Sequence, residues 1–241
     1  MIRTAALHRA LLVVLLCSSR IAAAEGDPAA YPSWEERVIH QWINRARVEP
    51  APELADCGAN CSVAERAPGC YAPKPPLFLG AGLAMAARFH SASMAKQGFF
   101  AHATPCQLRG DLASVFPEAC DGSAACACAG TGSTSPGGRV ARFGGSYSGE
   151  IIAAGYPDPL AAFYGWLHEP VASNAPCDWS SDGGWNTNGH RWLILTSTGS
   201  VGAGYASGGS WGRYFTADFG GGGEIARIPS GAHYPRQAPT I

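Results

Sequence analysis

Eight cysteines constrain this chain more than any other feature: Cys57, Cys61, Cys70, Cys106, Cys120, Cys126, Cys128 and Cys177. What they mean depends on the compartment, and the first 24 residues speak to that. Arg3 and Arg9 precede an apolar block at residues 11–17, and Ala22, Ala23 and Ala24 follow it. A basic start, a short apolar block and a run of small residues form the pattern of a secretory signal, so residues 1–24 are expected to be removed on export. The block is too short for a bilayer, which needs roughly 20 apolar residues. Cys17 follows the bulky Leu16, which does not suit a lipid-anchor signal, so this cysteine is expected to leave with the signal peptide. An even number of cysteines in an exported chain predicts up to four disulfides. The rival, a zinc knuckle at Cys57, Cys61 and Cys70, has an unfamiliar spacing and would sit in an oxidising setting. Cys126 and Cys128 are too close to bridge comfortably to each other, so each should reach elsewhere. Spacing does not fix the pairing.

Loss of the first 24 residues leaves 14 basic against 18 acidic residues, a net charge of about −4. The arginines and lysines form no run, and only Arg45 and Arg47 stand close together. Nucleic acid and anionic membrane surfaces are therefore not expected partners, and no later stretch is long and apolar enough for a transmembrane segment.

Ser33-Trp34-Glu35-Glu36 is a capping box, in which serine and Glu36 each satisfy the other's backbone N–H. Trp34, Val38, Ile39, Trp42 and Ile43 recur at helical spacing, which predicts a buried helix to about Arg47, with Pro50 and Pro52 ending it. Residues 51–79 are rich in proline and cysteine and predict a stapled loop. A second helix is predicted over residues 82–97, rich in small residues that permit close packing, with Gly98 as its stop. Residues 103–149 include the Gly/Ser/Ala-rich run GSAACACAGTGSTSPGG, a composition usual for linkers. The cysteines there argue instead for a pinned surface excursion. A third helix should begin at Asp158 and Pro159, a cap followed by a proline at the first helical position, and stop at Pro170. Two strands, residues 200–206 and 212–220, are joined by a Gly/Ser hairpin signal. Helices first and strands late, without alternation, predict an α+β fold.

Five segments in order carry a resemblance: HSASMAKQGFFAH (90–102), GEIIAAG (149–155), GWLHEP (165–170), GHRWLIL (189–195) and VGAGYA…YFTADFG (201–220). The chain resembles the CAP superfamily of SCP-like extracellular proteins, which includes cysteine-rich secretory proteins, venom antigen 5 and the class 1 pathogenesis-related proteins. INRARVEP (43–50) is similar to the first helix of bacterial-type members. The resemblance implies an α-β-α sandwich with a small, mostly antiparallel sheet between helices. Together with the residues already read, the expected layout is signal peptide 1–24, N-terminal linker 25–32, CAP domain 33–220 with a Cys-rich insertion at about 103–149, and a Gly/Pro-rich tail 221–241. It also implies a cleft with two histidines and two acids, which carry over to His102, Glu150, Glu169 and His190. The stretch between His102 and Glu150 is longer than the family's usual one.

Two neutral imidazoles with carboxylates suit zinc or a similar divalent ion. The glutamates could be ligands, hold a water, or orient the rings from behind. The competing account is a metal-free polar cluster held by charged hydrogen bonds. His90 lies on the apolar stripe of its helix and reads as a core histidine. His168 neighbours Glu169 but points about 100° away on a helix. The run of residues 177–189 holds Asp178, Asp182, Asn186 and Asn188 without the spacing of a calcium loop. Two functional classes follow. One is a secreted or periplasmic binding protein for a sterol, a fatty-acid-like ligand, or an extracellular protein or polymer. The other is a metal-dependent, protease-like hydrolase with Glu150 or Glu169 as general base.

Overall fold

The computed structural model describes residues 32–170, 177 and 189–221. The expected signal peptide, the linker before Pro32, nearly all of the calcium-like run and the tail beyond Gly221 lie outside the described residues.

Helix α1 (Trp34–Val48) starts at the capping box, with Ser33 accepting from the backbone of Glu36 and Glu36 answering. Pro50 does more than stop it: as a first-turn proline it opens α2 (Pro50–Ala55), where its missing N–H costs nothing. A short α3 (Val63–Arg66), with its own capping box at Ser62 and Glu65, gives the stapled loop some order. Strand β1 (Phe78–Leu79) leads into α4 (Ala81–Gln97), which ends at Gly98 in the left-handed region. The excursion holds β2 (Gln107–Leu108), α5 (Leu112–Val115), α6 (Ala124–Ala127), β3 (Cys128–Gly130) and α7 (Pro136–Arg142). Then come β4 (Ser146–Ala154), α8 (Pro159–Leu167) capped by Asp158, α9 (Gly189–Thr196), β5 (Ser200–Gly208) and β6 (Gly212–Gly221).

The sheet runs β1-β5-β6-β4, antiparallel except for the β1/β5 pair, while β2 and β3 form a small separate ribbon. One face of the large sheet presents Ile151, Ala153, Val201, Ala203, Phe215, Ala217 and Phe219 to α1, α8 and α9, and this is the main core. The other face receives α4. Gly202 and Gly204 let it approach: a Cβ at either would run into the backbone of Ala84 or Ala87. On that face Ser91 of α4 bonds to Thr216 and to the carbonyl of Gly204. The expected α+β, α-β-α sandwich is what the chain forms.

Buried Arg47 explains why INRARVEP looks like a motif. Its guanidinium donates to the carbonyls of Ile194, Ser197 and Pro75, so the first helix is bolted to the end of α9.

The cysteines pair as Cys57–Cys61, Cys70–Cys177, Cys106–Cys128 and Cys120–Cys126. All eight sulfurs are consumed, so the zinc knuckle has no thiolates. Two bridges pin the excursion, each loop closure being worth about 2–4 kcal/mol. The excursion is not confined to the surface, however. Cys106, Leu108, Leu112, Phe116, Cys120 and Ala127 form a second core against Phe89 of α4.

Candidate functional site: a two-histidine cleft at the β4 edge

Strand β4 pairs only with β6, so it is an edge strand of the large sheet. A cleft of about 360 Å³ opens beside it, lined by His102, Pro136, Tyr147, Glu150, Gly189 and His190. Both predicted histidines therefore face one space, with Glu150 in its wall.

The first half is built from three separated segments. Gly98 stops α4 and turns the chain so that the following loop carries His102. The His102 ring donates from Nδ1 to Glu150 Oε1 at 2.9 Å. Glu150 Oε2 is held by the guanidinium of Arg139, and both of these side chains are fully buried. The other terminal nitrogen of Arg139 donates to the carbonyl of His102 and to Thr104 Oγ1, each at 3.1 Å. Burial alone would raise the Glu150 pKa, but the hydrogen bond from His102 and the Arg139 charge more than offset it, so the carboxyl is held below its ordinary value.

Behind this pair lies a carboxyl that the resemblance did not point to. Asp218 of β6 stands opposite Glu150 in the register and is wholly buried. Neither of its oxygens accepts a hydrogen bond from a described group. Burial and the adjacent Glu150 charge push its pKa well above the carboxylate range. Arg139 pairs with Glu150 and forms no bond to Asp218, so a proton on Asp218 donated to Glu150 would balance the charge and supply the missing bond. The same surroundings, burial first and then the charges of Glu150 and Asp218, raise Tyr147 at the cleft wall to about 12.

The second half is compact in sequence. Glu169 Oε2 accepts from His190 Nδ1 at 2.7 Å. Its Oε1 accepts from the backbone N–H groups of His190 and Arg191, at 2.9 and 3.1 Å, in the first turn of α9. A helix start leaves such N–H groups without partners, and a carboxylate there is favoured by both hydrogen bonding and the helix dipole. Arg191 fixes Glu169 in turn, donating to its carbonyl and to that of Leu167 while pairing with buried Glu65.

Both rings thus present the same arrangement. Nδ1 is tied to a carboxylate, and among the described residues no hydrogen bond reaches either Nε2. No three of the described histidine, cysteine, aspartate or glutamate side chains gather as a ready ligand set.

The other candidates fall elsewhere. His90 is fully buried, and its Nε2 donates to the carbonyl of Ala101 at 2.9 Å. Burial, then the Arg139 charge, lowers its pKa to about 3, so the ring is neutral. His168 donates to the carbonyl of Glu53, beside Tyr164. Arg139 and Asp218 escaped sequence reading. The only local hint of Arg139 was Ser135-Pro136, a cap followed by a first-turn proline, hidden at the end of the low-complexity run.

The family model described as CAP, cysteine-rich secretory protein family, matches residues 43–219, nearly three quarters of the chain. The chain belongs to the CAP family. The match spans the long excursion and the positions of His102, Glu150, Glu169 and His190 in this CAP protein, of which Glu169 is not among the cleft-lining residues. No curated protein and no solved structure matches it. Among the described residues no helix is long and apolar enough to cross a membrane, and four disulfides suit an oxidising environment.

Proposed function

We propose that this CAP protein is an exported binding module whose paired imidazoles hold a divalent cation, zinc foremost, within a cleft that receives a hydrophobic small molecule or an extracellular partner. The observation that carries the reading is the shared ring geometry. A neutral histidine that donates from Nδ1 to a carboxylate keeps its Nε2 lone pair for a metal, and this carboxylate–histidine pairing is the usual support behind metal-binding rings. The donor set therefore fits the ion as two nitrogen ligands, His102 and His190, with Glu150 and Glu169 orienting them. Bound there, the ion would supply a Lewis-acid centre for an oxygen-bearing ligand group.

The hydrolase reading gains less from the geometry. A general base needs a free carboxylate oxygen, and those of Glu150 and Glu169 are all engaged by the rings, Arg139 and backbone N–H groups. Two protein nitrogens are also fewer than the three ligands usual in catalytic zinc sites.

Calorimetric titration of the purified exported protein with zinc chloride tests the proposal. One zinc per chain is expected for the parent and none for His102→Ala/His190→Ala. Unchanged zinc binding in the double variant would overturn it. Zinc-dependent cleavage of a labelled casein, lost on chelation, would transfer the weight to the hydrolase.

A further inference from the structure

The excursion between His102 and Glu150 lengthens the chain just where the site is assembled, and one of its side chains enters that site. Arg139 of α7 is fully buried, and a buried guanidinium is costly unless its donors are met. Here the two terminal nitrogens meet three acceptors, the Glu150 carboxylate, the His102 carbonyl and the Thr104 hydroxyl, while Nε meets none among the described residues. One planar group therefore grips both the carboxylate that accepts from the His102 ring and the backbone that carries that ring.

We propose that Arg139 is a positioning residue of the cleft. By fixing Glu150 against the His102 backbone it locks the His102 ring in the Nδ1–H tautomer, with Nε2 open to the cleft, and makes the excursion part of the binding site. The role of that open nitrogen rests on the zinc reading above; the tautomer lock does not.

The reasoning is geometric. The Nδ1–H form is held only while the carboxylate stays in line with Nδ1, and Glu150 is kept from turning away by the guanidinium on its other oxygen. Neutralising the charge of Glu150 would not do this alone. A lysine supplies an equal charge from a single point, whereas the planar fork of arginine spans separated acceptors. The neighbouring residues agree with the assignment. Buried Asp218 stands opposite Glu150 in the register, and His90 holds the Ala101 carbonyl one residue before His102.

The test compares Arg139→Lys and Arg139→Met with the parent by three measurements. These are thermal melting, the ring nitrogen shifts of His102 assigned with His102→Ala as the blank, and zinc affinity. Arg139→Lys is expected to melt as one cooperative unit, to show a mixed His102 tautomer, and to bind zinc about ten- to a hundred-fold more weakly, the usual effect of losing a supporting group behind a ligand. Arg139→Met should shift the tautomer further. Parent-like ring shifts in folded Arg139→Lys would overturn the proposal, leaving Arg139 as a counter-charge for Glu150. If the parent binds no zinc, the cation reading falls, and the ring shifts still decide the role of Arg139.

Discussion

The two halves of the cleft present the same ring geometry by opposite means. The His102 half draws on a loop after α4, a helix from the excursion and a strand, and it buries Glu150, Asp218, Arg139 and His90 to do so. The His190 half uses the end of α8 and the start of α9, and its carboxylate remains partly exposed, at 16% of the side chain. In one, the carboxylate is satisfied by a guanidinium that must be buried with it. In the other, it is satisfied by two N–H groups that any helix start provides. In the His102 half the buried charge touches the carboxylate itself, whereas in the His190 half the buried Arg191–Glu65 pair holds only the backbone behind it.

That contrast is broken most directly by removing each glutamate. Glu150→Ala strands Arg139 in the interior and should cost about 3–5 kcal/mol, the penalty for breaking a buried pair. Glu169→Ala removes a partly exposed carboxylate that caps α9 and accepts from the His190 ring, and should cost about 1–2 kcal/mol. Urea denaturation of both variants gives the comparison, and equal losses would abolish it.

Acid should find the His102 half next. His90 has its pKa depressed to about 3 in the fold against an unfolded value near 6.5. The unfolded chain takes up the proton first, so the stability that His90 contributes is complete above about pH 6.5 and drains as pH falls toward 3. The loss should reach about 3 kcal/mol between pH 7 and pH 4. His90→Gln keeps a donor for the Ala101 carbonyl but does not titrate, so its melting should depend less on pH over that range. Parallel curves for the two proteins would show that the buried ring is not what acid attacks.

Zinc should sense the halves alike. His102→Ala and His190→Ala should each weaken zinc at least tenfold, about 1.4 kcal/mol, with little change in melting temperature, because both rings sit at the wet edge of the core. A zinc loss confined to one variant would mean that the rings do not share an ion.

Much of this was legible in the sequence because it is local. The Ser33/Glu36 box, the Gly98 stop, the Asp158-Pro159 start and the hairpin after Ser200 are each decided within a few residues. The four cleft residues came from resemblance, and the structure sets both rings on one cleft. What stayed hidden depends on distance. Strand β4 is buried on both faces around Ile151 and Ile152, so it lacks the alternation that announces a strand. Arg139 lies in a run whose composition suggests a linker. Asp218 looks like an ordinary strand acid until the register places it opposite Glu150. Pro50 both ends α1 and opens α2, and the second role needs the following turn to fold before it shows.

A last comparison tests the proton assigned to Asp218. Its pKa is raised in the fold, so the folded chain holds a proton that the unfolded chain gives up at about pH 3.9. The contribution of a raised carboxyl is complete below that pH and is lost as pH climbs toward the folded value. At neutral pH the parent therefore carries a cost that a permanently neutral side chain avoids. Asp218→Asn has nearly the same shape, and its amide can donate to Glu150 as the acid does. The variant should be more stable than the parent at pH 7, because its amide makes the bond to Glu150 without a proton uptake. The two should converge as pH approaches 4. Paired urea denaturation at pH 4 and pH 7 measures that difference directly, and because both proteins keep His90, its acid response cancels. A variant less stable at pH 7, with the gap closing in acid, would mean that Asp218 is ionised and draws on Arg139 itself. The guanidinium would then serve two carboxylates at once, and the His102 half would owe its order to a shared cation rather than to a shared proton.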